Sequence, residues 1–290
     1  VSNHSDLRFT SSDGLSLYAR DYPAASGEAR LPVICIHGLT RNSGDFDELA
    51  PMLAAQGRRV LAVDVRGRGA SARDPDPSHY QPPTYAGDII SLANALGIAR
   101  AVFIGTSMGG IITMTLAMRR LDLIAAAVLN DVGPTLSPKG LARIASYAGK
   151  GASASTWEQA ADYIRAINLS AFPDNSDAEW AKWAHRAFEE NAQGQLQLRY
   201  DPNIAQPLQT GKLKASSIIA RMAFRRLANN KPTLLVRGML SDLIEPEQAA
   251  AMRRAAPRMH YAEVPGVGHA PMLTEPAALA ALKAFLEQQE

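Results

Sequence analysis

One stretch of the 290-residue chain combines residue types and spacing suited to covalent chemistry: Gly105-Thr106-Ser107-Met108-Gly109. It follows the apolar run Val102-Phe103-Ile104, and a helix-like run begins at Ile111. A serine between glycines at a strand-to-helix turn reads as a nucleophile on a sharp bend. Its hydroxyl stands exposed above the sheet, and bulky neighbours would not fit on the bend. The helix that follows points its N-terminal N–H groups at the place where an oxyanion would form.

Such a serine needs a base to take its proton, and the base needs a carboxylate to fix its tautomer. Context separates the six histidines. His4 sits in the N-terminal tail, His79 in a Pro-rich loop, His185 in a helical stretch and His260 within a strand, all structural or exposed positions. His269 instead follows a strand, in the loop opened by Gly266 and Gly268. Asp242 leaves another strand through Gly238-Met239-Leu240-Ser241. Ligands of open α/β sheets gather at the carboxyl ends of the strands, and Ser107, Asp242 and His269 all fall there. A bare Gly-x-Ser-x-Gly recurs by chance, so the weight lies on the aligned partners.

The elements that must position these residues alternate. Residues 7–10 and 15–21 read as a hairpin around Ser-Ser-Asp-Gly, and 33–37, 60–65, 101–104 and 123–129 as buried strands. Helical spacing covers 46–53, 85–96 and 111–118. The alternation predicts a mostly parallel sheet with helices on both faces. It breaks at Gly133. From there to about Asn230 no strand pattern stands out, and 141–147, 157–167, 178–190 and 215–227 read as helices. Trp180, Trp183, Ala187 and Phe188 would share one helix face, packing this insertion onto the sheet, with a few side chains lining a pocket. Strands at 233–237 and 259–264 and helices at 245–256 and 276–290 complete the chain.

Composition excludes several classes. Hydrophobic residues make up 47% and charged residues 20%, as in an ordinary globular chain, and a net charge of +2 gives no electrostatic case for nucleic acid or an anionic membrane. A single cysteine, Cys35 in an apolar run, leaves no disulfide framework. The N-terminal residues lack the basic-then-apolar pattern of a signal peptide, and no apolar run is long enough for a membrane span, so a cytoplasmic location is expected. No metal-ligand cluster or dinucleotide fingerprint appears, so neither metal nor cofactor is expected.

His37-Gly38, Asp64-Val65-Arg66-Gly67-Arg68-Gly69-Ala70-Ser71, the serine turn, Asp242 and Gly268-His269 follow one another in the order Ser, Asp, His, each at a strand end. In this the chain resembles the α/β-hydrolase superfamily over nearly its whole length. The resemblance implies an eight-stranded sheet with a helical cap inserted after the sixth strand: a core of residues 1–132 and 231–290, and a cap of residues 133–230. It implies Ser107 as nucleophile, His269 as general base, Asp242 as orienting acid, and the backbone N–H groups of Leu39 and Met108 as oxyanion hole. Some relatives take the acid from the end of the sixth strand, where Asp131 stands; Asp242 is preferred because its loop is the commoner source. His37 and Asp64 are expected to fix loop shape.

The expected reaction is hydrolysis of an ester or lactone of a small to medium, largely apolar substrate through an acyl-enzyme, by a monomer or homodimer. Alternatives on the same triad are carbon–carbon bond hydrolysis, which Thr106 and Ala270 disfavour because relatives of that type usually show Asn and Trp there, and cofactor-free perhydrolysis. A ligand receptor is the alternative outside enzymes. Arg143, Arg165, Arg221 and Arg225 read as solvated helix residues that could instead meet a substrate carboxylate.

Overall fold

A computed structural model describes residues 4–25, 30–209 and 216–289. The first residues of the tail, part of the loop after Pro23, the expected helix start at 215 and Glu290 lie outside the described residues.

Alternating polar and apolar residues around the Ser-Ser-Asp-Gly turn form the antiparallel pair β1 (Ser5–Thr10) and β2 (Ser16–Tyr22). The continuous apolar runs become β3 (Val33–Ile36), β4 (Val60–Asp64), β5 (Ala101–Thr106), β6 (Ile124–Asn130) and β10 (Thr233–Gly238), with the more exposed β11 (His260–Val264) at the edge. The sheet order is β1-β2-β4-β3-β5-β6-β10-β11, parallel from β4 onward. Strands covered on both faces have no polar side to show, which is why they are apolar along most of their length, with polar side chains such as Asp64, Asn130 and Arg237 at or near their carboxyl ends.

The period of two sorts their side chains between two cores. Val33, Cys35, Val102 and Ile104 pack with α1 (Leu49–Ala55) and α10 (Pro276–Leu286). Ile34, Ile36 and Phe103 face the other way, toward α2 (Pro82–Ala95), α3 (Met108–Arg119), α8 (Ile218–Asn230) and α9 (Pro246–Ala255).

Between β6 and β10 lie α4 (Pro138–Tyr147), α5 (Trp157–Asn168), α6 (Asp177–Ala187), the short α7 (Gln206–Gln209) and α8. The insertion also holds strands that the sequence reading missed: β7 (Ser153–Ala154), β8 (Phe188–Glu190) and β9 (Leu196–Leu198) form a small antiparallel sheet. The expected helix over 178–190 therefore ends at Ala187, where Phe188 turns extended and pairs with Leu198. Trp180 and Trp183 are buried against each other edge to face, and Phe172 packs edge-on to Trp183. Among the described residues no helix is long and apolar enough to cross a membrane.

Glycines set how closely α3 approaches the sheet. A Cβ on Gly109 would fall on the Ile36 carbonyl, and one on Gly105 would lie 2.5 Å from the Gly109 backbone. Gly109→Ala should therefore cost about 3 kcal/mol or more. Gly97→Ala, at a left-handed position open on all sides, should cost only about 1–2 kcal/mol. Urea unfolding of the two variants would measure the contrast.

Candidate active site

Ser107 occupies the turn between β5 and α3 with φ 53° and ψ −115°, a conformation that non-glycine residues rarely adopt. Its N–H donates to the Asn130 carbonyl at 2.9 Å, and its own carbonyl accepts from Gly110 and Ile111, the first bonds of α3. Backbone pairing on both sides thus holds the strained residue in place.

The His269 ring lies between Ser107 and an aspartate. Its Nε2 is 2.9 Å from Ser107 Oγ and its Nδ1 is 2.8 Å from Asp131 Oδ2. The carboxylate fixes the proton on Nδ1, leaving Nε2 free to accept the serine proton. Asp131, fully buried, follows β6 with φ 53°, which aspartate tolerates better than most residues. Its Oδ1 accepts the Gly238 N–H at 3.0 Å and its Oδ2 accepts the Ser241 hydroxyl at 2.6 Å, so the buried charge is hydrogen-bonded on both oxygens.

The preference for Asp242 is therefore corrected: the carboxylate on His269 belongs to Asp131. Both aspartates lie at the carboxyl ends of the adjacent strands β6 and β10. The loop after β10 turns Ser241, not Asp242, toward the histidine side, and Arg143 on α4 grips Asp242 through two bonds of 2.6 and 2.7 Å. Burial works against the ionised Asp242, but the Arg143 hydrogen bonds outweigh it and hold the carboxyl below its ordinary range. Of the other arginines considered from sequence, Arg165 pairs with exposed Asp177, and Arg221 bonds Ser216.

Leu39 and Met108 flank Ser107 in the cleft. Among the described residues neither backbone N–H donates to a protein acceptor. His37 holds the loop between them and the sheet: its Nε2 accepts the Val65 N–H at 3.1 Å and its Nδ1–H donates to the Gly38 carbonyl at 2.7 Å. Asp64 accepts from the N–H groups of Ser43 and Ala70, tying two loops at one strand end.

The sequence reading gave no role to Arg68. This buried guanidinium donates to the carbonyls of Leu39 (3.0 Å) and Arg66 (2.8 Å) and to the Tyr85 hydroxyl (3.0 Å), and lies 3.4 Å from the Met108 sulfur. It also stacks over the Tyr80 and Tyr85 rings. Arg66, two residues earlier, is saturated by Asp13, Asp74 and Asp88, whereas among the described residues Arg68 has no carboxylate partner. Its position behind Leu39 and Met108 could be found only from the fold.

The cleft over Ser107 has two lobes that share Leu39, Ser107 and Ile144. One runs past His269 toward Arg41, Tyr147, Tyr163 and Tyr200. The other is almost wholly apolar, walled by Met108, Ile111, Val132, Leu136 and Leu243. The insertion contributes walls to both. Asp13, Asp74 and His79 bring ligand atoms within 4.8 Å of one another, the one such cluster among the described residues, but Arg66 already occupies both carboxylates.

A family model described as the alpha/beta hydrolase family matches residues 33–282. A 3-hydroxybutyrate-oligomer hydrolase of Cupriavidus necator is 35% identical over 258 residues, 87% of each chain. An sn-1-specific diacylglycerol lipase of Mus musculus is 28% identical over 86% of this chain and 78% of its own. The crystal structure of an alpha/beta hydrolase from Novosphingobium aromaticivorans superposes with a TM-score of 0.91 at 40% identity, covering 99% of each chain.

The Asp242–Arg143 pair makes a prediction about pH. A carboxyl held below its unfolded value, about 3.9, stabilises the fold above that pH, and the contribution is lost as pH falls through the folded value. Wild type should exceed Asp242→Asn by on the order of 1 kcal/mol at pH 7, and in thermal melts the gap should begin to narrow below the unfolded value of about 3.9 and shrink further as the pH falls.

Proposed function

The chain belongs to the alpha/beta hydrolase family, and we propose that it is a serine hydrolase that cleaves a carboxylic ester or lactone through an acyl-enzyme on Ser107. The observation that carries this reading is the continuous hydrogen-bond chain Ser107–His269–Asp131.

In the proposed reaction Ser107 Oγ attacks the substrate carbonyl while His269 Nε2 takes its proton. The Asp131 carboxylate steadies the imidazolium that forms. Oxyanion charge falls to the N–H groups of Leu39 and Met108, at the start of α3 where the helix dipole adds to them. His269 then returns the proton to the leaving alcohol, and water, activated by the same ring, clears the acyl group. Arg68 is a positioning residue in this scheme, holding the Leu39 peptide and the Met108 side chain from behind. Within residues 133–230, the stretch from Leu136 to Pro207 acts as the cap that walls the cleft and selects the substrate, whereas α8 packs on the sheet. The relatives' names support ester chemistry, and that of the Cupriavidus protein makes an oligoester of a hydroxy acid the leading candidate.

Ser107→Ala should lower kcat about a million-fold, and a slow ester should leave an acyl mass on Ser107 of the wild type. A variant keeping most of its activity would refute the assignment. Asp131→Asn should cost roughly ten-thousandfold in kcat and Asp242→Asn less than about tenfold; the reverse ranking would return the acid role to Asp242. Arg68→Met should lower kcat by about ten- to a hundredfold, less than the loss of an oxyanion donor itself, with KM little changed in steady-state assays.

A further inference from the structure

We propose that the two lobes divide one substrate between them: the apolar lobe takes the acyl chain, and the lobe beside His269 takes a hydroxy-acid leaving group whose carboxylate is bound by Arg41 and the phenols of Tyr163 and Tyr200. This rests on the serine-hydrolase reading above and names its substrate class.

The orientation follows from the tetrahedral carbon. One substituent is bonded to Ser107 Oγ, the oxyanion faces Leu39 and Met108, and the leaving oxygen must lie within reach of His269 Nε2 to receive its proton. His269, Ala270, Pro271 and Met272 line only the polar lobe, and the apolar lobe has none of them. The leaving group therefore extends into the polar lobe, and the acyl chain into the lobe of Ile111, Val132 and Leu136.

The leaving-group lobe is rich in donors. Tyr200 is buried, and its hydroxyl has no hydrogen-bond partner among the described residues; the Gly149 N–H is near but outside hydrogen-bonding geometry. Tyr163 lines the same lobe, and among the described residues its hydroxyl also makes no hydrogen bond within the protein. Burial pushes both phenols above their ordinary range, so at neutral pH they are O–H donors. Arg41 stacks over Trp183 and gives its Nε and Nη2 to Asp45, which leaves Nη1 uncommitted among the described residues. Both Asp45 oxygens are taken up by this pairing, so the lobe offers donors rather than a net positive field. Of the three, the Tyr200 hydroxyl is the donor buried without a partner among the described residues, at a cost of about 1–3 kcal/mol, and a ligand carboxylate would supply its missing acceptor. A short hydroxy acid places such a carboxylate next to the alcohol that His269 must protonate.

The test uses the butyrate ester of 3-hydroxybutanoic acid and the methyl ester of the same compound, compared by kcat/KM, with 4-nitrophenyl butyrate as reference. The free carboxylate should be preferred by about tenfold or more, the scale of a charge-assisted hydrogen bond. Tyr200→Phe, which removes only the unpartnered hydroxyl, and Arg41→Gln should each reduce that ratio at least about threefold. No preference, or a preference untouched in both variants, would overturn the carboxylate subsite. Loss of 4-nitrophenyl butyrate turnover in wild type, or turnover surviving Ser107→Ala, would instead overturn the hydrolase reading itself. Leu136→Trp tests the orientation: hexanoyl esters of the hydroxy acid should fall at least tenfold relative to acetyl esters. A changed carboxylate preference with an unchanged chain-length profile would reverse the assignment of the lobes.

Discussion

The site hangs on one buried carboxylate. Asp131 cannot keep its charge in the interior without donors on both oxygens, and it draws them from three places: the Gly238 N–H at the end of β10, the Ser241 hydroxyl in the loop beyond, and His269 after β11. Meeting that electrostatic demand fixes the relative positions of three strand ends. The imidazole is thereby set at the right height above Ser107, which the β5–α3 turn supplies from the other side. The left-handed backbone at both Ser107 and Asp131 is tolerated because the surrounding main-chain bonds allow each residue no easier path.

A second constraint is steric. α3 can point its N-terminus at the cleft only if it lies nearly against β3 and β5, and Gly105 and Gly109 are what allow this. Positioning of Ser107 and positioning of the helix dipole are therefore the same packing problem. Arg68 extends it: a cation with no carboxylate partner among the described residues, satisfied by carbonyls, a phenol and aromatic faces, braces the loop that carries Leu39.

The strands of the main sheet, the serine turn and His269 were legible in the sequence because each is written in a few neighbouring residues: continuous apolar strands, glycines around a serine, a histidine in a glycine loop. Asp131 and Asp242 could not be separated in that way. Both stand at ends of paired strands, and the outcome turns on a backbone torsion at 131 and on Arg143 arriving from a helix ninety-nine positions away. The small sheet β7-β9-β8 was invisible for a related reason. Its strands are two or three residues long, and Phe188, Glu189 and Glu190 continue a helical pattern without a break, so only pairing with 196–198 makes them extended. The character of the two lobes was likewise hidden, since Tyr163 and Tyr200 converge from separate elements of the insertion.

The insertion is joined to the core by main-chain bonds as well as side chains. Gly69 donates to the Arg199 carbonyl and Asp201 to the Gly67 carbonyl, both at 2.8 Å, bridging the stretch around Tyr200 to the turn that bears Arg68. Tyr80 adds a hydroxyl bond to Asp201. The span 199–201 is a seam: altering its backbone would unsettle the turn that bears Arg68 together with the lobe wall at Tyr200. Swapping this insertion for a relative's would succeed or fail at that seam.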